Sequence, residues 1–259
     1  MQESPVQPPQ TKHWLVRSLI VTVGVYGALL LMITAIQRKL LFFPSHHTQT
    51  HALMPWKSGE EVIGFVRQRP APKAIWLMMH GNAGQAADRV YAMPSFPAED
   101  TVYLLEYPGY GQRKGSPSRT AFDQAAIEAY KLLRSTYPKH PICVVGESIG
   151  SGAASFLAAQ SPPPDKITLV VPYDRLADVA ARRLPFLPVR WLLRDDWDNI
   201  ASLRDYRGPI EIFAAQRDEV IPFEHAQNLA KHLPRATFRP IAGYHNDWSW
   251  GAKVRFSAP

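Results

Sequence analysis

Residues 142–151, ICVVGESIGS, constrain the fold more than any other stretch of the chain. Four β-favouring apolar residues (Ile142, Cys143, Val144 and Val145) run directly into Gly146-Glu147-Ser148-Ile149-Gly150. Small and apolar residues from Gly152 to Ala159 then follow at helical spacing. Strand, Gly-x-Ser-x-Gly and helix in that order read as a nucleophile elbow. The glycines have a steric reason, because Cβ atoms two positions either side of a serine on so sharp a turn would collide with it. The turn lifts Ser148 Oγ clear of the sheet and sets it at a helix N-terminus, where free N–H groups can stabilise an oxyanion. The bare pattern also occurs in ordinary Gly-rich turns, so the flanking strand and helix carry the reading.

A second feature lies near the N-terminus. Residues 18–36, SLIVTVGVYGALLLMITAI, hold nineteen positions without a charge, with Arg17 before them and Arg38-Lys39 after. That length spans a bilayer as a helix. A secretory signal would have a shorter apolar region and a small-x-small cleavage site, which Ile33-Thr34-Ala35 does not supply. The organisation expected is a disordered polar segment over 1–14, a transmembrane anchor over 15–39 and one catalytic domain over 40–259. Lys12 and Arg17 balance Arg38 and Lys39, so charge assigns neither side of the membrane to the domain. Residues 40–44, LLFFP, then sit at the membrane interface. The net charge of +7 points to an anionic surface. No nucleic-acid motif accompanies it, which leaves membrane lipid as the partner. The one cysteine, Cys143, supports neither a disulfide framework nor a Cys-based metal site, and reads as a small buried hydrophobe.

The remaining chain alternates strand and helix patterns. Strands are expected at 61–69 (the first), 73–79, 101–106, 142–145, 166–171, 210–215 and 237–242. Helices are expected at 118–136, after the elbow, at 223–232 and, briefly, from Trp248. Such alternation implies a mostly parallel central sheet with helices on both faces, an α/β fold. One stretch breaks the pattern. Residues 173–199 carry Arg175, Arg182, Arg183, Arg190 and Arg194 among leucines, Phe186 and Trp191, with Pro185 and Pro188 interrupting any helix. One reading is a lid with an apolar side for an acyl group or a lipid surface. The other is a helical excursion whose arginines are solvated or paired with Asp195, Asp196 and Asp198.

A serine nucleophile needs a base, a group to orient the base, and donors for the oxyanion. In this topology the chain order is Ser, acid, His. The strand at 210–215 runs into Asp218 and the strand at 237–242 into His245, both at the C-terminal strand ends where sites in open α/β sheets gather. Ser148, Asp218 and His245 therefore meet order and position together. Glu219 competes with Asp218 as the acid, but lies farther from the strand end. Asp247 has a capping role open to it. His80 directly follows a buried strand and is expected to hold its loop by hydrogen bonds. The backbone N–H groups of Asn82 and Ile149 are the expected oxyanion donors. Chemistry of this kind needs no cofactor and no metal.

On these residues the chain resembles α/β-hydrolase-fold serine hydrolases, and especially the single-pass membrane-anchored α/β-hydrolase-domain proteins. The resemblance rests on the apolar run with QRKLLFFPS after it, HGNAG at 80–84, YPGYG at 107–111, GESIG at 146–150, RDEVIP at 217–222 and GYHND at 243–247. It implies Ser148 as nucleophile, Asp218 as acid, His245 as base, and hydrolysis of esters or thioesters of small-molecule, lipid-like or acylated substrates. Glu147 departs from the small, aromatic or basic residues commoner at the elbow's second position. The alternatives are a peptidase using the same three residues, or a tethered interaction protein without turnover. No propeller or repeat of the kind that gates peptides precedes the domain, which favours esters.

Overall fold

The structure, a computed structural model, describes residues 11–47 and 53–259. Helix α1 (Thr11–Leu41) contains the whole apolar run. It begins before the expected anchor and ends just past it, so residues 11–14, expected to be disordered, are helical. The rest of that expectation, residues 1–10, lies outside the described residues, as does His51.

Eight strands form one sheet in the order β1-β2-β4-β3-β5-β6-β7-β8. They are β1 (Met54–Ser58), β2 (Glu61–Arg67), β3 (Ile75–Met79), β4 (Thr101–Leu105), β5 (Ile142–Glu147), β6 (Lys166–Val170), β7 (Ile210–Ala215) and β8 (Thr237–Ile241). Strands β1, β2 and β4 pair antiparallel, and every other pairing is parallel. The helices after α1 are α2 (Arg119–Thr136), α3 (Gly150–Phe156), α4 (Leu176–Arg183), α5 (Val189–Leu192), α6 (Asn199–Leu203) and α7 (Phe223–His232).

The central strands show why continuous apolar runs were needed. All five residues of β3 are buried, with Ile75, Leu77 and Met79 in the core on one face and Trp76 and Met78 in the core on the other. A sheet covered by helices on both sides has no face to spare for polar residues. Helix α2 starts where Ser118 Oγ accepts the Ala121 N–H at 3.1 Å, and its expected stripe from Phe122 to Leu133 faces the core, with Leu132 only partly covered.

The first strand is not the expected one at 61–69. Strand β1 precedes it and turns back through Gly59, whose φ of +59° suits glycine. Only Trp56 of β1 is buried. An edge strand containing Pro55 and Lys57 carries almost no apolar signal. A 3₁₀ stretch, Ala86–Ser95, also escaped the sequence pattern, since it holds Pro94 and two charges. The tail forms a 3₁₀ turn, Trp250–Ala252, and then buries Val254 and Phe256 in the core.

Residues 42–46 enter the domain without a hinge. Phe42 is buried against Phe122, with ring centroids 5.2 Å apart. Pro44 bridges Gly84, and the Gly111 N–H donates to the Ser45 carbonyl at 2.9 Å.

Candidate active site

The turn between β5 and α3 holds Ser148 at φ +52°, in the left-handed region that non-glycine residues rarely adopt. A Cβ on Gly146 would stand 2.6 Å from Ser151 Cα, and one on Gly150 would meet the carbonyl oxygens of Met79 and His80. Gly146 lets the turn close against the start of α3, and Gly150 lets it close against the end of β3; the atoms they spare are these rather than those of Ser148.

Ser148, Asp218 and His245 come together from three separate loops. The Ser148 hydroxyl donates to His245 Nε2 at 3.0 Å, and His245 Nδ1 lies 2.7 Å from Asp218 Oδ2. The second carboxylate oxygen, Asp218 Oδ1, accepts the N–H groups of Val220 and Ile221 at 2.9 and 2.7 Å. Glu219, the competing acid, does not touch the imidazole. Its Oε2 accepts the backbone N–H of His245 at 3.1 Å and so fixes the loop that carries the ring. Asp247 accepts the Tyr244 N–H in the same loop.

The expected oxyanion donors are backbone N–H groups of the elbow and of the loop after β3. Among the described residues, neither the Asn82 N–H nor the Ile149 N–H has a hydrogen-bond acceptor. The Asn82 side chain is committed elsewhere, with Nδ2 donating to the Leu41 carbonyl at 2.6 Å and Oδ1 accepting from Tyr110 Oη and the Phe43 N–H. His80 has the holding role expected of it, with Nδ1 2.7 Å from the Gly81 carbonyl oxygen and Nε2 3.4 Å from Glu106.

Sequence reasoning missed what Glu147 does. Its carboxylate is buried and accepts from Gly81 N–H (2.9 Å), Tyr91 Oη (2.8 Å) and Trp248 Nε1 (3.0 Å), with Arg89 Nε at 3.6 Å. One side chain thus joins the elbow, the loop bearing Asn82, the 3₁₀ stretch and the segment after His245. Arg89 completes the clamp by donating to the carbonyls of Gly81 and Ala83. Burial alone would push the Glu147 pKa up. The Arg89 charge and the three donors outweigh it and hold the group below its ordinary value. Glu147 therefore contributes stability that is fully present above about pH 4.5 and is lost as the pH falls through its lower folded value. Glu147→Gln takes from buried Arg89 the nearer of its two carboxylates, leaving Asp88, and turns an amide N–H toward a donor. Urea unfolding at neutral pH is expected to show a loss of about 3–5 kcal/mol, shrinking as the pH falls below the ordinary carboxylate range. A stability equal to the unmodified chain at neutral pH would remove the clamp.

The 173–199 stretch forms α4, α5 and the start of α6. Three of its arginines pair with carboxylates: Arg175 with Asp196, Arg182 with Glu224 and Arg190 with Asp178. Phe186 and Trp191 are about nine-tenths exposed.

No family model matches the chain. It is 29% identical to the uncharacterized protein Rv2307c of Mycobacterium tuberculosis, over 86% of this chain and 85% of that one. It is 25% identical to the lysophosphatidylserine lipase ABHD12 of Danio rerio, over 83% of this chain and 72% of that one. Among solved structures, the Pyrococcus furiosus esterase Pf2001 superposes with a TM-score of 0.61 at 14% identity, covering 81% of this chain and 91% of the esterase. An antiparallel β1-β2-β4 edge on a parallel sheet, a serine on the turn after β5 and likenesses of this extent together make this an α/β-hydrolase-fold chain, similar to the α/β-hydrolase-domain proteins and preceded by one apolar helix of membrane-spanning length.

Proposed function

We propose that this protein is a membrane-anchored serine hydrolase that cleaves ester or thioester bonds of lipid-like or acylated substrates through an acyl-enzyme. The observation that carries the reading is the unbroken hydrogen-bonded chain from Ser148 Oγ through the His245 ring to Asp218. In the reaction Ser148 Oγ attacks the substrate carbonyl carbon while its proton passes to His245 Nε2. Asp218 holds the ring in the tautomer that can accept that proton and stabilises the imidazolium. The Asn82 and Ile149 N–H groups receive the oxyanion; removing one such donor costs about 3–4 kcal/mol in well-studied hydrolases. Collapse of the tetrahedral intermediate expels the alcohol or thiol, which takes the proton back from Nε2. A water then repeats the sequence on the acyl-serine and frees the acid.

The relative named a lysophosphatidylserine lipase supports a lipid ester as substrate. Helix α1 supports the anchor, since its 18–36 run is long enough to cross about 30 Å of hydrocarbon. Three measurements test the reading on the full-length protein. Alkaline carbonate should fail to extract it from membranes. A fluorophosphonate probe should label it covalently, and a panel of p-nitrophenyl esters should be hydrolysed. A protein that neither labels nor turns over any ester is a tethered scaffold.

A further inference from the structure

The 184–195 segment does not lie on the catalytic domain alone; it runs along α1. The Tyr26 hydroxyl donates to the Phe186 carbonyl at 2.9 Å. Lower down, Gln37 Nε2 donates to the Leu192 carbonyl at 3.3 Å and Gln37 Oε1 accepts the Arg194 N–H at 2.8 Å. Arg38 closes the series on Asp195 at 2.7 Å. Tyr26 stands ten residues before Ile36, which is about 15 Å along a helix and about half the thickness of a hydrocarbon core. Where α1 spans, the turn bearing Phe186 reaches deep into one leaflet. Its exposed residues suit that position, since Phe186 and Trp191 face outward and Arg190 leaves its charge on Asp178 at 2.6 Å.

Between this segment and α1 lies an open groove. Its walls are almost wholly apolar, with Ile33, Thr34 and Leu41 on one side and Ala180, Leu184 and Leu187 on the other. Segments of both walls adjoin groups bonded to the loops of the site. Leu41 gives its carbonyl to Asn82 Nδ2, and Arg183, next to Leu184, donates to the carbonyls of Glu219 and Val220, just past Asp218. Where α1 spans, the groove thus opens at bilayer depth, and its walls adjoin segments bonded to the oxyanion loop and to the acid loop.

We infer that this groove is the subsite for the acyl chain of a membrane lipid ester, entered sideways from the leaflet, with α1 as one of its walls. The inference rests on the serine-hydrolase reading above. An acyl chain is the occupant that fits: the lining's polar side chains are Thr34 and Gln37, the Gln37 amide is already committed to backbone groups, and a chain arriving from the leaflet never crosses water.

The test uses the full chain in phosphatidylcholine vesicles with p-nitrophenyl butyrate and p-nitrophenyl palmitate as substrates. Two variants each place a bulky side chain in the groove from a different wall, Ala180→Trp from α4 and Thr34→Trp from α1. Thr34 is half-exposed on a helix whose fold does not depend on the groove, so its variant is the deciding one. The ratio of kcat/KM for palmitate over butyrate is expected to fall at least about tenfold in both, the scale on which hydrophobic pockets discriminate chain size. A ratio that falls only in Ala180→Trp overturns the role of α1. An unchanged ratio in both, or a fall that tracks loss of self-association, overturns the subsite and gives the groove to a helix of a second copy. Hydrolysis of both esters that is abolished by Ser148→Ala keeps the hydrolase reading standing in that case. If the unmodified chain cleaves neither ester, the hydrolase reading itself fails.

Discussion

Ester hydrolysis by Ser148→Ala is expected to fall about 10⁶-fold, to the level left by substrate binding and oxyanion donors alone, and fluorophosphonate labelling should vanish. The change removes one oxygen whose sole side-chain partner among the described residues is His245 Nε2. The elbow itself stays, since it is held by the Ser148 N–H donating to the Val170 carbonyl at 2.9 Å and by the glycines on either side. Thermal unfolding should therefore shift by no more than about 4 °C. Turnover that survives in a clean Ser148→Ala preparation would end the acyl-enzyme mechanism.

Asp218→Asn should lower kcat about 10⁴-fold, the scale seen when a triad loses its anion. The hydrogen bonds say why. Asp218 Oδ1 is committed to the N–H groups of Val220 and Ile221, so an asparagine must keep its carbonyl oxygen there. Its NH₂ then faces His245 Nδ1, which has to become an acceptor. The ring proton moves to Nε2, where it points at Ser148 and blocks proton removal. Glu219→Gln keeps an oxygen for the His245 backbone N–H and should cost less than about threefold, the smaller scale of a conserved neutral acceptor. Steady-state kinetics on the two variants decides between them, and a reversed pattern would pass the acid role to Glu219.

The reach of the sequence varied with how local each determinant was. The buried strands were legible because five consecutive apolar residues in β3, and four in β4, leave few other placements. The geometry of Ser148, Asp218 and His245 was legible because each follows a strand end, and parallel strands bring their ends to one edge. Edge strand β1 was not, since one buried Trp among Pro and Lys makes no period. The Glu147 clamp was beyond sequence reasoning for a different reason. Glu147 stood out as an unusual elbow residue, but Trp248 is 101 positions away and Arg89 carries no local signal at all. The 173–199 stretch was recognised as an interruption with prolines. Its alignment with α1 depended on backbone carbonyls, which have no residue code.

The way residues 42–46 enter the domain has a consequence for kinetics. With Phe42 buried beside Phe122, Pro44 bridging Gly84 and Asn82 holding the Leu41 carbonyl, no swivel separates α1 from the site. A helix fixed in a bilayer would then hold Ser148 at one height and one tilt above the lipid. The substrate variable that such an enzyme senses is the mole fraction of ester within the surface, not its amount per volume of solution. Diluting the substrate with inert lipid at constant bulk concentration would slow it, while adding water would not.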